Sequence, residues 1–210
     1  MATGQRHRKK EARPAELITA ALALFHANGF AATRIEQIAQ AAGVTKGTVY
    51  LYFPSKEALF KAAIRETIIP NLDRIEETAK SEPTARAQLR KAITLWAEAM
   101  LGCPGSLPKL VIAEAGNFPD LAEFFRNEVS GRIREMLISF VQAGVARGEL
   151  RACDPVTVVR ALTAPILFAN VWRHTFPDQA AQYAETASLV PPLLDIVFNG
   201  IALHPEEIHD

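Results

Sequence analysis

Residues 33–56 read TRIEQIAQAAGVTKGTVYLYFPSK, and this stretch decides the fold, because it spells two short helices joined at a glycine. Thr33 and Glu36 have the T-x-x-E spacing of a capping box, in which hydroxyl and carboxylate satisfy orphan amides at a helix start. Ile35, Ile38, Ala39 and Ala42 then fall on one helical face, and Gly43 supplies the positive φ that ends the helix and lets the chain reverse. After the turn at Gly43-Val44, Thr45 caps a second helix predicted from Lys46 to about Leu51. Val49 points inward there, and Lys46, Gly47, Thr48 and Tyr50 point outward. The pattern is that of a helix-turn-helix whose second helix is the reader. Lysine and hydroxyl groups offer donors to phosphates and base edges, and a glycine permits close backbone approach. Tyr50 and Tyr52 add phenolic donors. Pro54-Ser55 break and cap the chain before Lys56, a cation in the first turn of a helix, where a bound phosphate would compensate its unfavourable position against the helix dipole.

The longer segment from Leu17 to Phe60, LITAALALFHANGFAATRIEQIAQAAGVTKGTVYLYFPSKEALF, resembles the N-terminal domain of the tetracycline-repressor (TetR) family of transcription regulators. The resemblance implies a first helix packed under the helix-turn-helix, a third that enters the major groove, and a fourth leading to an all-helical regulatory and dimerising domain. It gives Thr33, Tyr50, Tyr52 and Lys56 phosphate-positioning roles and places Lys46, Gly47 and Thr48 at the groove, with Thr45 as the cap. Further on, Val111 to Leu121, VIAEAGNFPDL, and the stretch GVARGEL are similar to the regulatory half of a broad subset of the family.

Charge distribution agrees. The 210-residue chain has 23 basic and 23 acidic residues, yet through Lys61 nine basic side chains face four acidic ones, with the deficit carried by the remainder. A basic head on an acidic body suits a protein of which only the head meets phosphate, because counterion release rewards local charge. The arm QRHRKKEAR reads as solvated in the free protein and able to order on DNA. The arm and the following LITAALALF superficially suggest a secretory signal. Pro14, Glu16 and the helical stripe of Leu17, Ile18, Ala21, Leu24 and Phe25 argue instead for an amphipathic first helix. No apolar run reads as long enough to span a bilayer. Cys103 and Cys153 lack metal spacing, and His204 and His209 read as part of a solvated tail, so no metal, cofactor or membrane partner is expected and the compartment is read as cytoplasmic.

Beyond the reader no alternating strand pattern occurs, so the fold is predicted all-α, with an N-terminal DNA-binding domain over residues 1–61 and a helical regulatory and dimerisation domain over 62–210. A long helix from Lys56 should kink at Pro70, which removes an amide and crowds the carbonyl of Glu66. Helices are expected from Ser81–Pro83, after Pro108, from Pro119-Asp120 through Phe140, from Asp154-Pro155 with a bend at Pro165, and after Pro191-Pro192. Their apolar stripes suggest two consumers besides a core. The last two helices, through Phe168, Trp172, Leu193, Val197 and Phe198, are assigned to a homodimer face. Trp96, Met100, Phe118, Phe125, Ile133, Met136, Phe140 and Trp172 are candidates to line a cavity for a hydrophobic or aromatic effector, with Glu114, Asn117, Arg173 or His174 as polar contacts. The regulator is expected to be a repressor released from a pseudo-palindromic operator. The alternatives are a small-molecule-binding helical protein or an enzyme without a DNA role. A carrier leaves the reader and basic arm unexplained, and no nucleophile with its base, carboxylate pair or phosphate loop is visible for an enzyme.

Overall fold

The computed structural model describes residues 3–103, 105–176, 178 and 186–201, and all of its regular structure among these residues is helical. The helices are α1 (Thr3–Asn28), α2 (Ile35–Ala41), α3 (Lys46–Tyr52), α4 (Lys56–Thr67), α5 (Ile69–Lys80), α6 (Ala85–Gly102), α7 (Leu107–Glu114), α8 (Pro119–Phe125), α9 (Arg132–Ala146), α10 (Pro155–Thr175) and α11 (Thr186–Ile201), with a π-helical segment at Arg126–Gly131.

The chain divides into two compact units. The first comprises residues 1–70 together with 110–125, and the second residues 71–109 and 126–210. The boundary expected at Lys61 therefore falls inside α4, and a segment from the middle of the sequence completes the head. Three phenylalanines explain the head's core. Phe25 of α1, Phe30 of the following loop and Phe60 of α4 are 0–1% exposed, with ring centroids 5.2 to 5.8 Å apart. Tilted and edge-on pairs at such distances contribute about 0.5–1.5 kcal/mol each beyond their area burial. Phe118 adds a fourth ring, edge-on to Phe30 at 4.8 Å. This corrects its expected place in an effector cavity: it is a wall of the head.

Several helix boundaries differ from the sequence pattern. α1 begins at Thr3 and contains Pro14, whereas the pattern started it at the proline. The long helix from Lys56 breaks at Ile68, and Pro70 occupies the first turn of α5, where its missing amide is an orphan in any case. Thr84 caps α6 by accepting from the Ala87 amide at 3.1 Å, so the helix starts just past Pro83. The predicted helix from Pro119 through Phe140 is interrupted by the π-helical Arg126–Gly131. At Gly131 a Cβ would stand 3.0 Å from the Arg126 carbonyl oxygen, so any side chain there would have to push that carbonyl back by a few tenths of an ångström. Pro191 and Pro192 lie inside α11, not ahead of it.

In the second unit α6, α9, α10 and α11 pack on one another around Leu89, Ile93, Leu137, Val141, Leu162, Ile166 and Leu194. Asp154 caps α10 as expected, accepting from the amides of Val156 and Thr157 at 3.2 and 3.0 Å. At 21 residues α10 is long and apolar enough to cross a bilayer by length and composition, contrary to the sequence expectation, and only 33% of its most apolar window is buried. Phe168 on α10 is 51% exposed, and Ile196 on α11 is 71% exposed. Phe198, assigned to a dimer face, is instead 1% exposed, capped by the guanidinium groups of Arg86 and Arg90 at 4.8 and 5.2 Å from its ring. Its direction on α11 is toward α6. Leu193, Val197 and Trp172 are partly exposed.

Candidate nucleic-acid interface

The reading motif forms as its residues dictate. Gly43 has φ +64°, and its amide and that of Val44 close the C-terminus of α2 on Gln40 and Ala39. Thr45 caps α3, accepting from the Thr48 amide at 3.3 Å, and its hydroxyl lies 2.9 Å from that of Thr48. Val49 is fully buried beneath the helix, along with Ile38 and Ala39 of α2. Lys46, Gly47, Tyr50 and Leu51 are exposed, while Thr48 and Tyr52 are partly so. Leu51, which the sequence reading passed over, is 74% exposed. It stands one turn beyond Gly47, and helical phase alone could have marked it.

The start of α2 lies one residue later than the capping-box pattern. Arg34 is the N-cap, and its amide donates to Gln37 Oε1 at 2.8 Å. Thr33 is 1% exposed; its hydroxyl faces the carbonyls of Gly29 at 2.7 Å and Leu24 at 3.2 Å. That hydroxyl closes the end of α1 and has no free direction toward a phosphate, so Arg34 replaces Thr33 as the outward group at this corner. Glu36, released from capping, reaches across to α3 and pairs with Lys46 at 2.6 Å, both side chains being more than half exposed. The pairing lowers the Glu36 carboxyl's pKa and raises that of the Lys46 ammonium, chiefly through their shared hydrogen bond.

Lys56 departs furthest from its expected role. Its Nζ donates to the carbonyls of Phe30 at 2.7 Å, Thr33 at 2.9 Å and Ala31 at 3.1 Å, and sits 4.5 Å from the Phe30 ring centroid. An ammonium has three N–H donors, and all three are committed. Burial lowers its pKa, the neighbouring carboxylates of Glu57 and Glu114 opposing the shift. Lys56 is thus a clamp on the α1–α2 loop, and the compensation expected from phosphate comes from carbonyl dipoles. The same loop is held by a second group: the Ala31 amide donates to Glu114 Oε1 at 2.8 Å. Glu114, a candidate effector contact by sequence, belongs to the head. A surface hollow of about 380 Å³ opens beside these groups, lined by Arg34, Glu36, Tyr50, Ser55 and Lys56 among others.

Of the other candidates for effector contact, Trp96, Ile133, Met136 and Phe140 are 4–8% exposed in the second unit, Met100 and Trp172 are partly exposed there, and Phe125 ends the first unit. A second surface hollow, of about 330 Å³, is lined by Glu82, Arg86, Arg90 and Lys91 and by none of these residues. The polar candidates are committed: Arg173 donates to the Cys103 carbonyl at 3.1 Å, and His174 Nδ1 lies 2.8 Å from that of Asn170. Asn170 itself, 1% exposed and missed by the sequence reading, accepts from Ser106 Oγ and donates to the Met100 carbonyl at 2.7 Å. Cys103 and Cys153 are free thiols, and among the described residues no group of metal-ligating side chains is gathered. His204 and His209 lie outside the described residues.

Two caps, a positive-φ glycine and an outward face of lysine, glycine, threonine and tyrosine define a helix-turn-helix DNA-binding protein. Residues 17–63 match the model of the bacterial regulatory proteins of the tetR family, and residues 81–190 match the tetracyclin repressor-like C-terminal domain. The chain belongs to the TetR family and is a DNA-binding transcriptional regulator. It is similar to the fatty acid metabolism regulator protein of Bacillus subtilis, 32% identical over 91% of this chain and 98% of the relative. Over 66 residues it is also similar to the transcriptional regulator RutR of Escherichia coli, at 47% identity; that match spans 31% of either chain. The structure of FadR from Bacillus subtilis in complex with stearoyl-CoA has the same fold, with a TM-score of 0.72 at 22% identity, covering 90% of this chain and 99% of that one.

Proposed function

We propose that the protein is a homodimeric, cytoplasmic repressor, without enzymatic activity, that leaves its operator when it binds a hydrophobic acyl thioester. The observation carrying the DNA half is the outward face of α3, Lys46-Gly47-Thr48 with Tyr50, held by the caps of Thr45 and Arg34. Lys46 and Thr48 reach base edges, Gly47 lets the backbone approach, and Tyr50, Tyr52 and Arg34 position phosphates. The partly covered, apolar α10 and the exposed Ile196 of α11 support a two-fold face, which would set paired readers about 34 Å apart on a pseudo-palindrome.

The effector class rests on the full-length relative in fatty acid metabolism, on the stearoyl-CoA held by FadR, and on the apolar cluster of Trp96, Ile133, Met136 and Phe140. These side chains are buried in the free protein, so an acyl chain enters by displacing them. Release by a factor of one hundred requires about 2.7 kcal/mol of coupling, which must reappear as weaker effector binding to the DNA complex. The test is a gel shift on a duplex enriched from a random library by the protein, with stearoyl-CoA, stearate and free coenzyme A added separately. Release by stearoyl-CoA alone is expected. Binding that no acyl compound weakens refutes the effector assignment, and failure to enrich any duplex refutes the regulator reading.

A further inference from the structure

The pair between Glu36 and Lys46 is not required by the fold. Both side chains are more than half exposed, the helices they join are already packed through Val49, Ile38 and Ala39, and α2 has its own cap in Arg34 and Gln37. A carboxylate on the face that meets a polyanion is a cost that a DNA-binding surface ordinarily avoids. Here it stands 2.6 Å from the first reading residue, and Lys46 Nζ is further confined at 5.8 Å from the centroid of the Tyr50 ring. We propose that Glu36 is a specificity-determining residue, which holds Lys46 away from the phosphate backbone and presents it to a base edge.

The physical argument runs through salt. A lysine free to choose takes the nearest phosphate, releases a counterion on every sequence alike, and so raises non-specific and specific affinity together. When neutralised by Glu36, the same lysine gains nothing from the bulk charge of the duplex. It leaves the pair, or shares it, only where a guanine O6/N7 edge offers localised acceptors at the right height in the groove. The pair therefore subtracts from random DNA and spares the operator. This inference rests on the DNA-binding reading of α3 but not on any effector.

The experiment is a double-mutant cycle over Glu36→Gln and Lys46→Ala, with circular dichroism to confirm the fold. Affinities are measured against salt for the enriched duplex and for a random-sequence duplex. Glu36→Gln is expected to raise random-duplex affinity roughly five- to tenfold at ~0.1 M salt and to steepen the log–log salt slope by about one unit, the signature of one added phosphate contact. Operator affinity should rise less, so the specificity ratio falls. Lys46→Ala in the Glu36→Gln background should abolish the gain. Lys46→Ala alone should weaken the operator at least fivefold and the random duplex by clearly less, the latter only because it leaves the Glu36 carboxylate unpaired on the face. A gain from Glu36→Gln that persists without Lys46 reflects simple removal of an acidic charge and overturns the proposal. Equal losses on the two duplexes in Lys46→Ala alone also overturn it, because Lys46 would then be a phosphate ligand despite its partner. A wild-type protein that enriches no duplex overturns the inference together with the regulator reading.

Discussion

Replacing Lys56 by methionine keeps most of the side chain's apolar stem and removes its ammonium. Three carbonyls lose a charged donor; those of Phe30 and Thr33 are bonded in part-buried surroundings, and that of Ala31 is exposed enough for water to replace the lysine. A buried acceptor left without a partner costs about 1–3 kcal/mol. Two such groups, partly re-solvated, set the expected loss at about 2–4 kcal/mol, and at about 2–4 °C per kcal/mol the melting temperature should fall by roughly 5–15 °C. The opposing term is the desolvation of the ammonium, which lowers its pKa in the folded state. The unfolded chain then binds this proton more tightly, so between the lowered folded pKa and the ordinary 10.5 the stability difference shifts in favour of the folded state as pH rises. Lys56→Met should lack that rise. Urea unfolding at neutral and high pH measures both effects, and a gel shift across salt concentrations measures the DNA side. The salt slope should be unchanged, because the ammonium is spent inside the head. A variant that loses less than about 0.5 kcal/mol and whose slope falls by about one unit refutes the clamp and restores Lys56 as a phosphate ligand.

Other outcomes follow from the same geometry. Glu114→Gln should speed hydrogen exchange at the Ala31 amide, because a neutral acceptor replaces a charged one; unchanged exchange would show that this bond does not hold the loop. Ile196→Glu should dissociate the proposed homodimer in sedimentation while leaving helicity intact, whereas Phe198→Glu should destabilise the protomer itself by about 3 kcal/mol through loss of a buried ring. A dimer untouched by Ile196→Glu removes the exposed face of α11 from the interface. Gly47→Phe should abolish operator binding without unfolding the head, since a Cβ there has no neighbour closer than 3.9 Å; retained binding would mean that the backbone at Gly47 does not approach the duplex.

The parts of this molecule that were legible in its sequence are those with local causes. Gly43 adopts positive φ, Thr45 caps the helix that starts at the very next residue, and Asp154-Pro155 starts a helix without help from elsewhere, so the reader and the all-helical fold could be read directly. The capping box failed by one position because Thr33 had a competing partner in the carbonyl of Gly29, a contact made only when α1 ends where it does. Lys56, Glu114 and Phe118 lay beyond such a reading for a stronger reason: their partners lie 23 to 88 residues away, and no periodicity encodes such pairings. Phe198 shows the limit of composition, since an apolar stripe broad enough for two surfaces does not say which residue faces which.

The bond from Ala31 to Glu114 and the packing of Phe118 on Phe30 mean that the operator-reading module is encoded in two separate pieces of the gene. A hybrid regulator could be built by splicing a reader from one protein to a sensor from another at the end of the fourth helix. For this chain such a splice would exchange residues 1–70 while leaving 110–125 behind, and the transplanted reader would meet a foreign carboxylate and a foreign ring. A working hybrid has to carry both pieces, and a substitution at Glu114 or Phe118 would be felt in the head although both lie within the sequence of the regulatory half.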